Sequence, residues 1–154
     1  MPAREIRMEH LLTVRFDVST PRSLGQTPFG ERRIVQITGG SFEGPRLRGT
    51  VLPEGGDWIL LRSDGVLQLD VRATLQTDDG ALIYMTYRGF RHGPAEVIDR
   101  LNRGEAVDPF TYYFRTAPFF ETGDERYAWL NRTICVSTGE RLPSGPVYTV
   151  YQVL

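Results

Sequence analysis

The stretch VLQLDVRATLQ, residues 66–76, decides the fold class because apolar and polar side chains alternate along it without a break. Alternation with period two is typical of a β-strand with two unlike sides. The apolar side consists of Leu67, Leu69, Val71, Ala73 and Leu75, and the polar side of Gln68, Asp70, Arg72, Thr74 and Gln76. The polar side fits one wall of a polar pocket and equally a solvent-exposed sheet face, so this stretch indicates fold more strongly than activity.

Turn residues on both sides of this strand predict two β-hairpins. Asp64-Gly65 precedes it and Asp79-Gly80 follows it, and Asp-Gly between alternating segments is a strong hairpin signal. Turn residues recur about every ten residues along the rest of the chain, a spacing typical of all-β domains. The predicted strands are 8–18, 31–38, 45–52, 58–63, 66–77, 81–89, 111–117, 127–137 and 146–154.

One segment, 94–103, is predicted to be helical, since Pro94 stands at a first-turn position and Gly104 follows the end. Val97, Ile98 and Leu101 form a narrow apolar stripe, which suits a helix lying on a barrel rim or closing one end. About nine strands and one short helix favour a single antiparallel β-barrel over residues 1–154, because a closed barrel has no free edge strands.

Composition excludes several classes of function. The formal net charge of the 154 residues is −1, which gives no electrostatic reason to expect nucleic acid or an anionic membrane as a partner. All 18 basic residues are arginine, so lysine chemistry is excluded. The chain has no apolar segment of membrane-spanning length, and its first residues lack the apolar stretch of a signal peptide. We therefore expect a cytoplasmic protein.

No metal site or cofactor is predicted. His10 and His92 are far apart and neither has a second ligand at metal-binding spacing. The lone cysteine, Cys135, lies in a strand-like segment and is expected to be a buried apolar residue. The glycine-rich segment 39–44 matches no phosphate-binding motif and predicts a sharp bend at a barrel corner instead.

Polar and aromatic side chains on several predicted strands suggest a small-molecule site inside the barrel. If their faces converge, carboxylates, guanidinium groups and aromatic rings meet in one cavity, which is the usual composition of such a site. The candidate catalytic residues are Asp70, Glu121, Arg115 and Tyr84, and the candidate ligand-binding residues are Trp58, Arg72, Tyr113, Trp129 and Asn131. The alternative is that the charged pairs are exposed and the two tryptophans belong to the core.

Three long blocks resemble the domain-of-unknown-function 3237 family. They are ITGGSFEGPRLRGTVLPEGGDW at 37–58, LDVRATLQTDDGALIYMTYRG at 69–89 and YYFRTAPFFETGDERYAWLNR at 112–132. The resemblance spans nearly the whole chain and implies a lipocalin-like or allene-oxide-cyclase-like barrel that forms a homodimer or larger homo-oligomer. It transfers no catalytic role to any residue.

Three functional hypotheses follow. The first is an enzyme without metal or redox cofactor that isomerises, cyclises or cleaves a cyclic or aromatic metabolite. In it, Asp70 or Glu121 exchanges a proton, Arg72 or Arg115 holds an oxyanion, and Tyr84 donates a hydrogen bond. The second is a barrel that binds a small ligand without catalysis. The third is a structural protein with a filled interior, in which the apolar face of strand 66–77 is an oligomer interface.

Overall fold

The computed structural model describes residues 1–154 as nine strands, one α-helix and two 3₁₀ segments. The strands are β1 (Met8–Val18), β2 (Arg22–Thr27), β3 (Gly30–Glu43), β4 (Arg48–Leu61), β5 (Leu67–Thr77), β6 (Leu82–His92), β7 (Tyr113–Glu121), β8 (Cys135–Leu142) and β9 (Gly145–Val153). The helix is α1 (Ala95–Asn102), and the 3₁₀ segments are Pro109–Thr111 and Glu125–Arg132. No helix is long and apolar enough to cross a membrane.

Eight antiparallel strands close into a barrel, which confirms the predicted fold class. The sheet runs β1-β9-β8-β7-β6-β5-β4-β3, and β1 pairs again with β3 to complete the circle. β2 is an additional strand that pairs with β3 outside this circle. Closure satisfies the edges of β1 and β3 that an open sheet would expose.

The alternation along β5 places its apolar side chains inside the barrel. Leu67, Leu69, Val71, Ala73 and Leu75 are at most 9% exposed and belong to the main core cluster. The hypothesis that this face is an oligomer interface is therefore wrong. The intervening polar side chains point to the outer surface, since successive residues of a strand face opposite sides.

Both predicted Asp-Gly hairpins are present. Gly65 and Gly80 have φ angles of 84° and 92°, which glycine adopts without steric cost. The turns are closed by backbone hydrogen bonds of 2.9 Å, from Arg62 N–H to the Val66 carbonyl and from Thr77 N–H to the Ala81 carbonyl.

β4 is one strand where two, 45–52 and 58–63, were predicted. The pairing of β4 with β5 shifts register between Val51 and Gly55, so the strand continues through an irregularity. Gly55 has a φ of 87°, and a Cβ atom there would lie 2.1 Å from the Arg72 carbonyl oxygen. Proline and glycine at 53–56 mark this irregularity and not a chain reversal.

The prediction of a strand over 127–137 is wrong at its beginning. Residues Glu125–Arg132 form an irregular 3₁₀ segment, and β8 starts at Cys135. The Asp124 carboxylate accepts a hydrogen bond of 2.9 Å from the Arg126 N–H and caps the segment. β2 was not predicted, because its sequence RSLGQT has no apolar face.

The two ends of the barrel are closed by different elements. α1 packs at one end through buried Leu101 and half-buried Val97 and Ile98, as its apolar stripe predicted. The 3₁₀ segment Glu125–Arg132 closes the opposite end with buried Leu130. Beside it, the Tyr127 hydroxyl donates to the Asp79 carboxylate of the β5–β6 turn at 2.9 Å.

Candidate functional site

The side chains predicted to line a cavity do not lie in the barrel interior. Of the strand residues in that set, Arg72, Tyr84, Tyr113, Arg115 and Glu121 are exposed on the outer wall, and Trp58 and Asp70 are half-buried on the same wall. Trp129 and Asn131 belong to the 3₁₀ segment at the end away from α1. The predicted inward placement is wrong, because the apolar residues of each strand occupy the interior.

Local contacts account for several of these side chains without a ligand. The Arg72 guanidinium lies 5.6 Å from the centre of the Trp58 ring, and that of Arg46 lies 3.7 Å from the centre of the Trp129 ring. Asn131 bonds the N–H and the carbonyl of Thr122 at 2.8 and 2.9 Å and so anchors the loop after β7.

The structure brings the predicted residues together only in pairs on the outer wall: Tyr84 lies opposite Glu121 on neighbouring strands, and the Arg115 guanidinium lies 5.5 Å from the centre of the Tyr113 ring. The set as a whole does not converge on one site.

A cavity of about 320 Å³ lies inside the barrel at the end covered by α1. This volume is at the lower end of the range of small-molecule sites. Twelve of its twenty lining residues are hydrophobic, and the ionisable ones are Arg33, Asp57, Tyr87, Arg91, Arg141 and Tyr148. The filled interior required by the third hypothesis is therefore not observed.

Aromatic rings form one wall of this cavity. The Tyr87 and Tyr148 ring centres are 4.9 Å apart, and Phe114 meets Tyr148 edge to face at 5.4 Å. Phe16 approaches Tyr148 at 5.9 Å from β1. Burial raises the pKa of both tyrosines far above its ordinary value, so both hydroxyl groups stay protonated near neutral pH.

Asp57 is the only carboxylate that lines the cavity. It projects inward from β4, and its Oδ1 accepts a hydrogen bond of 3.0 Å from the Asp70 N–H of β5. Burial raises the pKa of Asp57 from 3.8 to about 7, with a further increase from the Asp70 carboxylate, while the Asp70 N–H and Arg91 oppose the shift. The carboxyl group therefore exchanges its proton near neutral pH, as an acid–base catalyst requires.

Arg91 projects inward from the end of β6 and has an unsatisfied donor. Its Nε atom is buried and has no hydrogen-bond partner. Burial lowers the pKa of the guanidinium, and the positive charges of Arg141 and Arg33 lower it further. A shielded donor without a protein partner is rare, and this one is available to an acceptor that enters the cavity.

Arg33 and Arg141 complete the charged part of the lining. Arg33, on β3, forms an ion pair with Glu31 at 2.5 Å. Arg141, on β8, uses its backbone N–H to bond the Tyr112 hydroxyl at 2.9 Å. None of the ion pairs in the structure includes Asp57, Arg91 or Arg141.

A signal for these residues is present in the sequence. Each charged residue is in phase with the apolar, inward-facing residues of its own strand. Arg33 precedes Val35 and Ile37, Asp57 precedes Ile59, Arg91 follows Met85 and Tyr87, and Arg141 follows Cys135 and Ser137. A charged residue in an apolar row near the end of a strand therefore marks the polar end of a barrel interior.

Larger depressions occur on the outer surface. One of about 780 Å³ is lined by eleven residues, of which only Phe42 is hydrophobic, and it is an open groove. The interior cavity is smaller, yet it combines apolar walls with convergent polar groups, which is what small-molecule sites have in common.

Comparison with known proteins defines the family. The model for the protein of unknown function DUF3237 matches residues 6–153. This chain belongs to the DUF3237 family. The UPF0311 protein RPA1785 of Rhodopseudomonas palustris is 38% identical to this DUF3237 chain over 149 residues, 97% of each protein.

Solved structures of relatives share the barrel. The crystal structure of the Rhodopseudomonas protein, described as a conserved protein of unknown function, superimposes with a TM-score of 0.95 at 37% identity, covering 99% of this DUF3237 chain and 100% of the other. A β-barrel-like protein from Acinetobacter baumannii gives a TM-score of 0.86 at 41% identity, with 99% of both chains covered.

One relative carries a named activity. The hydroalkoxylation enzyme phnH of Penicillium herquei is 31% identical over 112 residues, which are 72% of this DUF3237 chain and 59% of the fungal protein. The similarity is distant and covers part of the larger protein.

Proposed function

We propose that the interior cavity is the active site of an enzyme that adds a hydroxyl group across a carbon–carbon double bond within one small, aromatic substrate. The observation that carries the proposal is the half-buried Asp57 carboxyl group, with a pKa of about 7, in an aromatic cavity that also holds the unpartnered Nε atom of Arg91. Intramolecular hydroalkoxylation is a cyclisation, and it matches the activity named for the Penicillium relative.

Asp57 is assigned to proton transfer. Its pKa makes both protonation states available near neutral pH, and a general acid or base is most effective under that condition. The hydrogen bond from the Asp70 N–H fixes one carboxyl oxygen and leaves the other for the substrate.

Arg91 is assigned to the stabilisation of negative charge. A guanidinium N–H that is shielded from water and has no partner stabilises an oxyanion more strongly than it would in water. The protonated Tyr148 hydroxyl, which accepts a hydrogen bond from Tyr87, adds a donor on the same lining. The apolar remainder holds the ring system and excludes water.

The step is balanced without any added reactant. In a phenol that carries an ortho enone, the phenol oxygen bonds to the β-carbon and the π electrons move toward the carbonyl oxygen. Asp57, in its acid form, gives a proton to the α-carbon, and the phenol proton returns to the Asp57 carboxylate. The product is an isomer of the substrate, so no oxidant, reductant or leaving group is needed.

Cyclisation of 2′-hydroxychalcone to flavanone tests this proposal, because the loss of the conjugated chromophore is followed by absorbance. We expect the protein to accelerate the reaction near neutral pH above the buffer rate. Asp57→Asn should lower the protein-dependent rate by about 100-fold or more, since general acid–base groups contribute roughly 10²–10⁴.

Asp17→Asn is the matched control, because Asp17 is an exposed aspartate on the outer face of β1. Its rate should equal that of the unmodified protein. Binding without acceleration would favour the non-catalytic ligand-binding hypothesis. Acceleration that persists in Asp57→Asn would remove Asp57 from the mechanism.

A further inference from the structure

The cavity has more positive charge than the proposed reaction requires, since that reaction uses the Arg91 guanidinium alone. Three guanidinium groups, those of Arg33, Arg91 and Arg141, line it against one carboxyl group, that of Asp57. Arg33 is neutralised by Glu31. Arg91 and Arg141 have no acidic partner.

These charges are close enough to affect one another. Arg141 and Arg33 both lower the pKa of the Arg91 guanidinium by repulsion. Like charges gathered in a partly desolvated space are unfavourable unless something neutralises them. Asp57 is the one carboxyl group on the lining, and it attracts Arg91 without forming an ion pair with either arginine. One carboxyl group that is only partly ionised near neutral pH does not neutralise two guanidinium groups.

Hydrogen bonding leads to the same conclusion independently of charge. Arg91 Nε is the one buried side-chain nitrogen or oxygen atom of the protein that has no partner. The Arg141 side chain forms no ion pair, and the residue bonds Tyr112 through its backbone alone. A planar oxyanion would satisfy such donors, since guanidinium groups bind carboxylate-type oxygens with matching geometry.

We infer that the natural substrate binds as a compact aromatic anion whose carboxylate group is held by Arg91 and Arg141, while its reacting phenol stays protonated. This inference rests on the proposed function for the location of the site and adds the class of substrate. The aromatic lining from Phe16, Phe114 and Tyr148 receives the ring, and the arginines receive the charge.

The uncharged part of the lining is compatible with a substrate of this kind. α1 contributes Leu101 and Asn102, and the segment after β1 contributes Ser19 and Pro21. None of these four residues carries a negative charge that would repel an anion bound at the arginines.

Calorimetric titration with 1-naphthoate and its neutral analogue 1-naphthamide tests the inference at about pH 6, where the Asp57 carboxyl group is mainly protonated. The two probes share one ring system and differ in charge. We expect naphthoate to bind at least about tenfold more tightly, because hydrogen bonds between charged groups are stronger than those of a neutral amide.

The variants Arg91→Gln and Arg141→Gln should each remove most of this preference, and Arg91→Lys should keep part of it. Arg88→Gln is the control, since Arg88 lies three residues earlier on β6 and is exposed on the outer wall. It should bind both probes as the unmodified protein does. Thermal unfolding is used to check that each variant is folded. If Arg91→Gln does not fold, the preference of Arg141→Gln for naphthoate over naphthamide tests the inference.

Three outcomes overturn the inference: no binding of naphthoate, equal affinity for the two probes, or an anion preference that survives in the Arg91 and Arg141 variants. None of these outcomes decides whether the protein cyclises 2′-hydroxychalcone in a way that depends on Asp57, because that reaction is measured separately. Conversely, a cyclisation that does not depend on Asp57 removes the proposed reaction while an arginine-dependent preference for naphthoate still stands.

Discussion

The Asp57 carboxylate accepts a hydrogen bond of 3.0 Å from the backbone N–H of Asp70, so two neighbouring carboxylates on β4 and β5 face opposite sides of one wall. Asp57 faces the cavity and Asp70 faces outward. The backbone contact holds the inner carboxyl group in place without neutralising it with a basic side chain. This arrangement keeps the Asp57 proton available for exchange.

The raised pKa of Asp57 predicts that the protein loses stability as pH rises. The folded protein keeps the proton up to about pH 7, while the unfolded chain releases it near the ordinary value of 3.8. The native state therefore binds more protons between these values, and stability falls across that window, by a total on the order of 4 kcal/mol. The groups that act on Asp57 are Asp70 of β5, Tyr87 and Arg91 of β6, and Tyr148 of β9.

Asp57→Asn removes this loss, because asparagine keeps the acceptor for the Asp70 N–H and carries no charge. We expect urea denaturation to show the variant several kcal/mol more stable than the unmodified protein at about pH 8, and the gap to close toward about pH 4. Asp17→Asn should follow the unmodified protein. Parallel pH profiles for the unmodified protein and Asp57→Asn would be evidence against a raised pKa.

Tyr148 contributes to stability through the packing of its ring and through its hydroxyl group, and two substitutions separate these contributions. Tyr148→Ala should lower the free energy of unfolding by about 3–5 kcal/mol, because it leaves a void among Phe16, Tyr87 and Phe114. Tyr148→Phe keeps the ring and should cost about 1 kcal/mol or less. Equal losses for the two variants would mean that the hydroxyl group, and not the ring, stabilises this wall.

Substitutions at two neighbouring residues test which face of β5 is inside the barrel. Val71 is 2% exposed and Arg72 is exposed on the opposite face. Val71→Asp should destabilise the protein by more than about 4 kcal/mol or prevent folding, because it buries an unpaired charge. Arg72→Asp should change the free energy of unfolding by less than about 1 kcal/mol. The reverse order would place the polar face of β5 inside.

Parallel substitutions of Gly55 and Gly80 test the irregularity in β4. Their φ angles are similar, 87° and 92°, but a Cβ atom at Gly55 would lie 2.1 Å from the Arg72 carbonyl oxygen, and one at Gly80 would meet nothing within 4 Å. Gly80→Ala should cost about 1–2 kcal/mol from backbone strain. Gly55→Ala should cost at least about 2 kcal/mol more from the clash, as measured by thermal or urea unfolding. Similar costs would contradict the close approach of β4 to β5.

Local patterns predicted most of the fold. The alternation over 66–76, the Asp-Gly turns and the proline-to-glycine limits of α1 are properties of a few adjacent residues, so they can be recognised without knowledge of the tertiary structure. β4 was divided in two because Pro53, Gly55 and Gly56 have the composition of a turn. Only pairing with β3 and β5 on both sides of these residues shows that one strand continues through an irregularity there.

The candidate site was harder to predict because alternation defines two faces without saying which is inside. The polar face of β5 was expected to line the cavity, yet the apolar face does so. Arg91 reaches the interior because it continues the apolar row of Met85 and Tyr87 to the end of β6, and Asp57 because it is in phase with Ile59 farther along β4. This phase can be recognised from the sequence. The closed antiparallel topology decides which strand ends meet. It brings the beginning of β3 and the final residues of β4, β6 and β8 to one end of the barrel.

The ionisation of Asp57 is the property on which the proposed chemistry depends most directly. Carbon-13 NMR of aspartate-labelled protein gives the titration of its carboxyl carbon, with Asp57→Asn to assign the signal. A midpoint near pH 7 is the result we predict, since burial in the cavity raises the pKa of Asp57 to about that value. A midpoint near the ordinary value of 3.8 would show a permanently charged group and contradict its role in proton transfer.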